Sequence, residues 1–116
     1  MKAGKVWGET SVLLSTPHVE VHALSVEPHA HCSLHRHTCR WNAFVGITGR
    51  IFVEVHQEDY DLVDVTEVTA GTLTTVPPGL WHRFRTEDEG AECLEVYYPP
   101  SLGAGDIVRR DVGGRE

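Results

Sequence analysis

Polarity in this chain alternates at every second residue over several stretches, and that period is the strongest constraint on its fold. In His18-Val19-Glu20-Val21-His22-Ala23-Leu24-Ser25-Val26, small and apolar residues alternate with polar ones through the first half. Ile51, Val53 and Val55 alternate with Phe52, Glu54 and His56, and Cys93, Glu95 and Tyr97 alternate with Leu94, Val96 and Tyr98. Successive side chains of a strand point to opposite faces, so a period of two marks half-buried strands. Further strands are expected over 10–14, 33–37, 41–47, 61–66, 72–76 and 81–85. Turn sequences separate them: Glu27-Pro28, Thr48-Gly49, Glu58-Asp59, Ala70-Gly71, Pro77-Pro78-Gly79 and Asp88-Glu89-Gly90. No stretch of ten or more residues carries a helical period. Many short strands at regular spacing predict an all-β sandwich or barrel. At 116 residues the chain is one domain, 1–116. The glycine-rich tail after Pro99-Pro100, about 101–116, is expected to be a closing strand, a short helical turn or a partly flexible end.

Charge and composition remove several classes of function. Ten Lys+Arg stand against 17 Asp+Glu, a net charge of −7, and the basic residues are scattered singly or in pairs. That is not the footprint of a nucleic-acid binder. The apolar runs are too short to span a bilayer, and Met1-Lys2-Ala3-Gly4-Lys5 leads into no apolar leader segment. Cys32, Cys39 and Cys93 cannot all pair, so they read as thiols in a reducing, cytoplasmic compartment.

The eight histidines are the chain's chemical peculiarity. In Ser33-Leu34-His35-Arg36-His37 two imidazoles stand two apart, hence on one face of a strand. Gly71-x5-Pro77-x-Gly79-x2-His82 reads as a strand, a tight turn and a return strand that carries a third histidine. Either element alone is unremarkable: two surface histidines, or a hairpin. Together, in an all-β chain, they predict a metal site of His35, His37 and His82. The earlier pair His29 and His31 follows Pro28 and is expected at the surface or the barrel mouth. His18, His22 and His56 read as ordinary strand residues, with His22 facing the cavity only if its strand runs beside the site. A rival zinc site on Cys32, Cys39 and a histidine lacks the paired C-x2–4-C spacing, and Cys39 is expected as a buried thiol. Trp7, Trp41 and Trp81 are expected to pack rather than form a sugar-stacking platform. Glu95 would serve as a general base if it faced inward, but alternation puts Leu94 and Val96 in the core and Glu95 outside.

These residues resemble the cupin superfamily, whose motifs are G-x5-H-x-H-x3,4-E-x6-G and G-x5-P-x-G-x2-H-x3-N. The first appears here as His35-x-His37-x4-Asn42-x6-Gly49 without the leading glycine, and the second as Gly71-x5-Pro77-x-Gly79-x2-His82-x3-Thr86. Asn42 stands where the family has a glutamate ligand, and Thr86 replaces the asparagine. The chain is further similar to the cupin domain of type II phosphomannose isomerases. Lys5-Val6-Trp7-Gly8 resembles their K/R-P-W-G opening, and Ser33-Leu34-His35-Arg36-His37-x2-Arg40-x-Asn42 lies over L-S-L-Q-x-H-x-x-R-x-E. Pro77-Pro78-Gly79-Leu80-Trp81-His82-Arg83 is similar to P-x-G-x-x-H-R, and Asp106-Ile107-Val108-Arg109 echoes the closing D-D-I-V-R. His35 stands where those enzymes have glutamine, so the site is richer in imidazole and poorer in negative charge.

The resemblance implies an antiparallel jelly-roll barrel, the double-stranded β-helix, that assembles as a homodimer. It also implies one divalent transition metal (Zn, Ni, Mn, Co, Cu or Fe) on His35, His37 and His82, with Asn42 as a weak or water-mediated fourth ligand. Neutral nitrogen ligands suit such ions better than Mg or Ca, and three protein ligands leave positions open for a small molecule. Arg40 and Arg109 match arginines of the pattern and are expected to fork onto a substrate phosphate or carboxylate. Three functions follow: a metal-dependent aldose–ketose isomerase of a sugar phosphate, a three-histidine non-haem iron dioxygenase, and a non-enzymatic cupin that binds a small ligand. For the isomerase the sequence offers no evident base.

Overall fold

The computed structural model describes residues 2–57, 59 and 61–100, so the tail and Arg109 lie outside the described residues. Among the described residues nine strands follow one another: β1 (Lys2–Lys5), β2 (Gly8–Ser15), β3 (Glu20–Val26), β4 (Trp41–Gly49), β5 (Ile51–Gln57), β6 (Leu62–Val68), β7 (Leu73–Val76), β8 (Trp81–Arg85) and β9 (Ala91–Tyr98). They form a six-stranded sheet, order β1-β2-β3-β9-β4-β7, facing a three-stranded sheet, order β6-β5-β8. Every strand pairing is antiparallel, and among the described residues there is no helix. The all-β fold expected from the period-two pattern is the one found, and its two facing antiparallel sheets agree with the jelly roll that the resemblance implied.

Between the sheets lies the core. Leu24 and Val26 of β3, Phe44 of β4 and Ala91 and Cys93 of β9 meet Ile51 and Val53 of β5, Val68 of β6 and Phe84 of β8. Each fully buried side chain of this size is worth about 1.5–3 kcal/mol relative to exposure. Trp7 closes one end, its ring edge-on to Phe84 at 4.9 Å, as the packing role expected for it requires.

Two expectations about elements fail. Residues 33–37 form no strand. They belong to an irregular arm that touches β8 through isolated bridges, His31 to Arg85 and His35 to His82. The alternation in β9 runs in the opposite phase: Glu95 is 5% exposed, while Leu94 and Val96 are half-buried on the other face. Strand register explains the inversion. Val96 lies between Val21 and Ala43, and Leu94 between Ala23 and Val45, so the outer face of the large sheet carries an apolar row of its own. Cys39, expected to be buried, is exposed.

Candidate metal centre

Backbone pairing brings the three imidazoles together. His35 and His82 exchange two hydrogen bonds, His35 N–H to the His82 carbonyl (3.0 Å) and His82 N–H to the His35 carbonyl (2.8 Å). The Pro77-Pro78-Gly79 turn fixes the next residue of the pair, because Gly79 N–H donates to the His37 carbonyl at 2.7 Å. Gly79 adopts φ +88°, and a proline followed by a positive-φ glycine is the signature of a type II turn. Thr86, at the position of the family asparagine, anchors the root of the arm. Its hydroxyl donates to the Glu27 carbonyl and accepts from Ala30 N–H.

The result is a cluster in which one ligand atom from each of His35, His37 and His82 lies within 4.8 Å of the other two. Local hydrogen bonds settle which nitrogen is free. His35 Nδ1–H donates to the Ser33 carbonyl (2.8 Å) and His82 Nδ1–H to the Leu80 carbonyl (3.0 Å). Both rings therefore keep their Nε2 lone pairs for a ligand, the arrangement that orients metal-binding histidines. His37 Nε2 is buried and lacks a hydrogen-bond partner. Burial, then Arg40 and the two neighbouring imidazoles, pushes the His37 pKa down to about 4. Burial also lowers that of His82. Both rings are thus neutral near pH 7, and an orphaned buried nitrogen beside two further imidazoles fits a transition-metal ion.

Asn42 is 1% exposed. Its Nδ2 donates to Glu95 Oε2 at 3.0 Å and lies 3.4 Å from His82 Nε2, while its Oδ1 is buried without a partner. It is thus the amide nitrogen, rather than the oxygen, that approaches His82. Glu95 is pushed up to about 7 by burial, against the opposing hydrogen bonds from Tyr97 and Asn42. The Tyr97 hydroxyl is raised in turn by burial and by that carboxylate. Sequence alternation missed Glu95. The signal that could have found it is cross-strand register, which lines His22, Glu95 and Phe44 in one row of the large sheet.

A family model for the cupin domain matches residues 22–97. The chain belongs to the cupin family. Among curated proteins no match is found. Solved structures share the fold: KdgF from Halomonas sp. is 13% identical with a TM-score of 0.67, over 80% of this chain and 79% of its own. CapF, the capsular polysaccharide assembling protein of Staphylococcus aureus, is 14% identical with a TM-score of 0.77, over 91% of this chain and 30% of its own. An oxalate decarboxylase of Lactobacillus farciminis is 20% identical with a TM-score of 0.73, over 91% of this chain and 32% of its own. This cupin therefore spans about a third of the latter two proteins. At such identities the likeness is one of fold.

Two cavities flank the cupin's histidine cluster and share Tyr97 as a wall. The inner one, about 430 Å³, is bordered by His22, His35, Glu95, Tyr97 and Trp7. His22 does face it, its ring edge-on to Tyr97 at 5.3 Å. The outer one, about 570 Å³, is bordered by His18, Arg36, His37, Arg40 and Tyr98. Arg40 lies over the Tyr97 ring at 4.2 Å and is 3.7 Å from Glu20. His29 and His31 are exposed, and His29 pairs with Asp88 at 3.3 Å. Cys32 is buried against Phe84 N–H (3.2 Å) and its thiol is pushed up to about 11 by burial, the state of an inert core thiol.

Proposed function

We propose that this cupin holds one divalent transition-metal ion on His35, His37 and His82 and catalyses aldose–ketose isomerisation of a small sugar phosphate. The observation that carries the reading is the placement of Glu95, a buried carboxylate bordering the same cavity as His35. Isomerisation needs a group that takes a proton from the carbon beside a carbonyl and returns it to the neighbouring carbon. Glu95 is offered as that group, and Asn42 Nδ2 and the Tyr97 hydroxyl hold its carboxylate in place. When bound, the ion would supply electrophilic pull on the carbonyl and hydroxyl oxygens of a chelating substrate. Arg36 and Arg40, at the outer cavity, suit the phosphate. Similarity to the cupin domain of type II phosphomannose isomerases supports the same substrate class.

One observation favours a second reading. Among the described residues no carboxylate belongs to the histidine cluster, and a set of three imidazole ligands also suits Fe(II) in an oxygen-dependent dioxygenase. The deciding experiment is metal analysis of the purified protein, followed by paired assays. Zinc, nickel or manganese with conversion of mannose 6-phosphate to fructose 6-phosphate supports the isomerase. Iron with oxygen uptake on a diketone or catechol-like compound, and no isomerisation, overturns it.

A further inference from the structure

We infer that Glu95 and Asn42 work as one unit that supplies the metal centre with the negative charge the cupin pattern places at position 42, the carboxylate having moved across to β9. This rests on the reading that the histidine cluster binds a divalent cation, and on nothing about its turnover. Phe44 and Glu95 are register partners on β4 and β9, so Asn42, two residues before Phe44, shares their face. The two side chains meet diagonally, Nδ2 to Oε2 at 3.0 Å, and the same amide nitrogen lies 3.4 Å from His82 Nε2. The chain Glu95–Asn42–His82 is continuous and almost wholly buried, with 5%, 1% and 2% exposure.

A carboxylate in that position is costly unless something compensates it. No arginine or lysine pairs with Glu95 within salt-bridge distance among the described residues, whereas the other buried carboxylate, Glu54, is held by Arg83 and Arg85 at 2.7 and 2.6 Å. A divalent cation among the three imidazoles provides the compensation, because its charge acts on a carboxylate that is itself buried. Once a cation takes the His82 Nε2 lone pair, Glu95 remains the acceptor of the Asn42 amide. Hydrogen-bonded groups around a metal's ligands typically change its affinity by about 10–100-fold.

The test is zinc affinity of the full chain by chelator competition, with thermal melts in EDTA alongside. Glu95→Gln keeps size and an acceptor oxygen but removes the charge. It should weaken zinc binding about tenfold or more, while its EDTA melting temperature equals or exceeds that of the wild type. The swap Asn42→Glu/Glu95→Gln returns the charge to the pattern's position and should bind zinc at least as tightly as the wild type. Unchanged zinc affinity in Glu95→Gln, with a lowered EDTA melting temperature, would show a merely structural carboxylate and overturn the inference. If Glu95→Gln does not fold, the swap decides: weaker binding than wild type overturns the inference as surely. A wild-type protein that fails to bind zinc, nickel or iron at all sinks the metal reading itself, a separate outcome.

Discussion

His35 and His82 are joined by a reciprocal pair of backbone hydrogen bonds, 3.0 and 2.8 Å, although they lie 47 residues apart in the chain. The tie is made by main-chain atoms, so removing a ring leaves it intact. His35→Ala, at a half-buried position, should therefore change stability in EDTA by no more than about 1 kcal/mol. His82 is 2% exposed, and His82→Ala opens a cavity that should cost about 2 kcal/mol or more. Both variants should lose the metal. Elemental analysis read beside urea melts separates the two effects, and full metal occupancy in either variant would show that the ring is no ligand.

Two glycines, one in the turn before His82 and one on β4, should respond very differently to a methyl group. At Gly79 a Cβ would meet nothing within 4 Å, so Gly79→Ala is opposed only by the positive φ of +88°, worth about 1–2 kcal/mol. The turn it shapes holds His37 through the 2.7 Å hydrogen bond, so zinc affinity should fall as well. At Gly46 a Cβ would stand 2.0 Å from the Thr69 carbonyl oxygen, where β4 receives Gly71 N–H and donates to Thr72. Gly46→Ala should yield little soluble protein, because backbone must give way on both sides. Circular dichroism of the two purified variants checks the contrast, and a well-folded Gly46→Ala would refute it.

What could be read before the structure depended on how local each signal was. Alternation and turn chemistry are local, and they placed β3, β5, β7 and β8 within two or three residues. The histidines of the cluster were legible because the H-x-H pair and the turn before His82 each carry their own spacing. Glu95 was not, because its environment is set by strands that are distant in sequence. Asn42 and Tyr97 make its burial tolerable, while Val21 and Ala43 make the opposite face apolar. Alternation cannot assign a phase when both faces of a strand contain apolar residues. The arm at 31–35 escaped for a related reason. It carries strand-like composition but touches β8 only at two isolated bridges.

On the outer face of the small sheet, Glu54 is a contrasting test of a buried carboxylate. Burial would raise its pKa, but hydrogen bonds from Arg83 and Arg85 hold it below the usual carboxylate range. Glu54 and Arg83 are register partners on β5 and β8, and His82 points from β8 to the opposite side of that sheet. Glu54→Ala leaves two guanidiniums without their shared acceptor, and should cost about 1–3 kcal/mol. Zinc affinity per folded molecule should stay at the wild-type value, unlike that of Glu95→Gln. Equal losses of affinity in the two variants would mean that general destabilisation, rather than charge at the site, governs metal binding.

Acid should expose the opposing titrations buried around the cluster. The folded-state pKa of His37 is about 4, and that of His82 is lowered too, in both cases chiefly by burial. In the unfolded chain both titrate near about 6.5, so below that pH the unfolded state takes up protons first and stability falls. Glu95 acts in the other direction. Raised from 4.5 to about 7, it binds its proton in the folded state first, and stability rises as pH falls from about 7 to 4.5. In EDTA, two imidazoles oppose one carboxylate, so the metal-free protein should lose stability on acidification from about pH 6.5 downwards. Glu95→Gln removes the opposing contribution and should steepen the fall, whereas His37→Gln should flatten it. Urea melts of the three proteins in EDTA at intervals between pH 7.5 and 4.5 give the slopes directly. Parallel slopes for wild type and Glu95→Gln would mean that Glu95 keeps an ordinary carboxylate pKa, and a wild-type curve that rises on acidification would mean that the carboxylate outweighs both histidines.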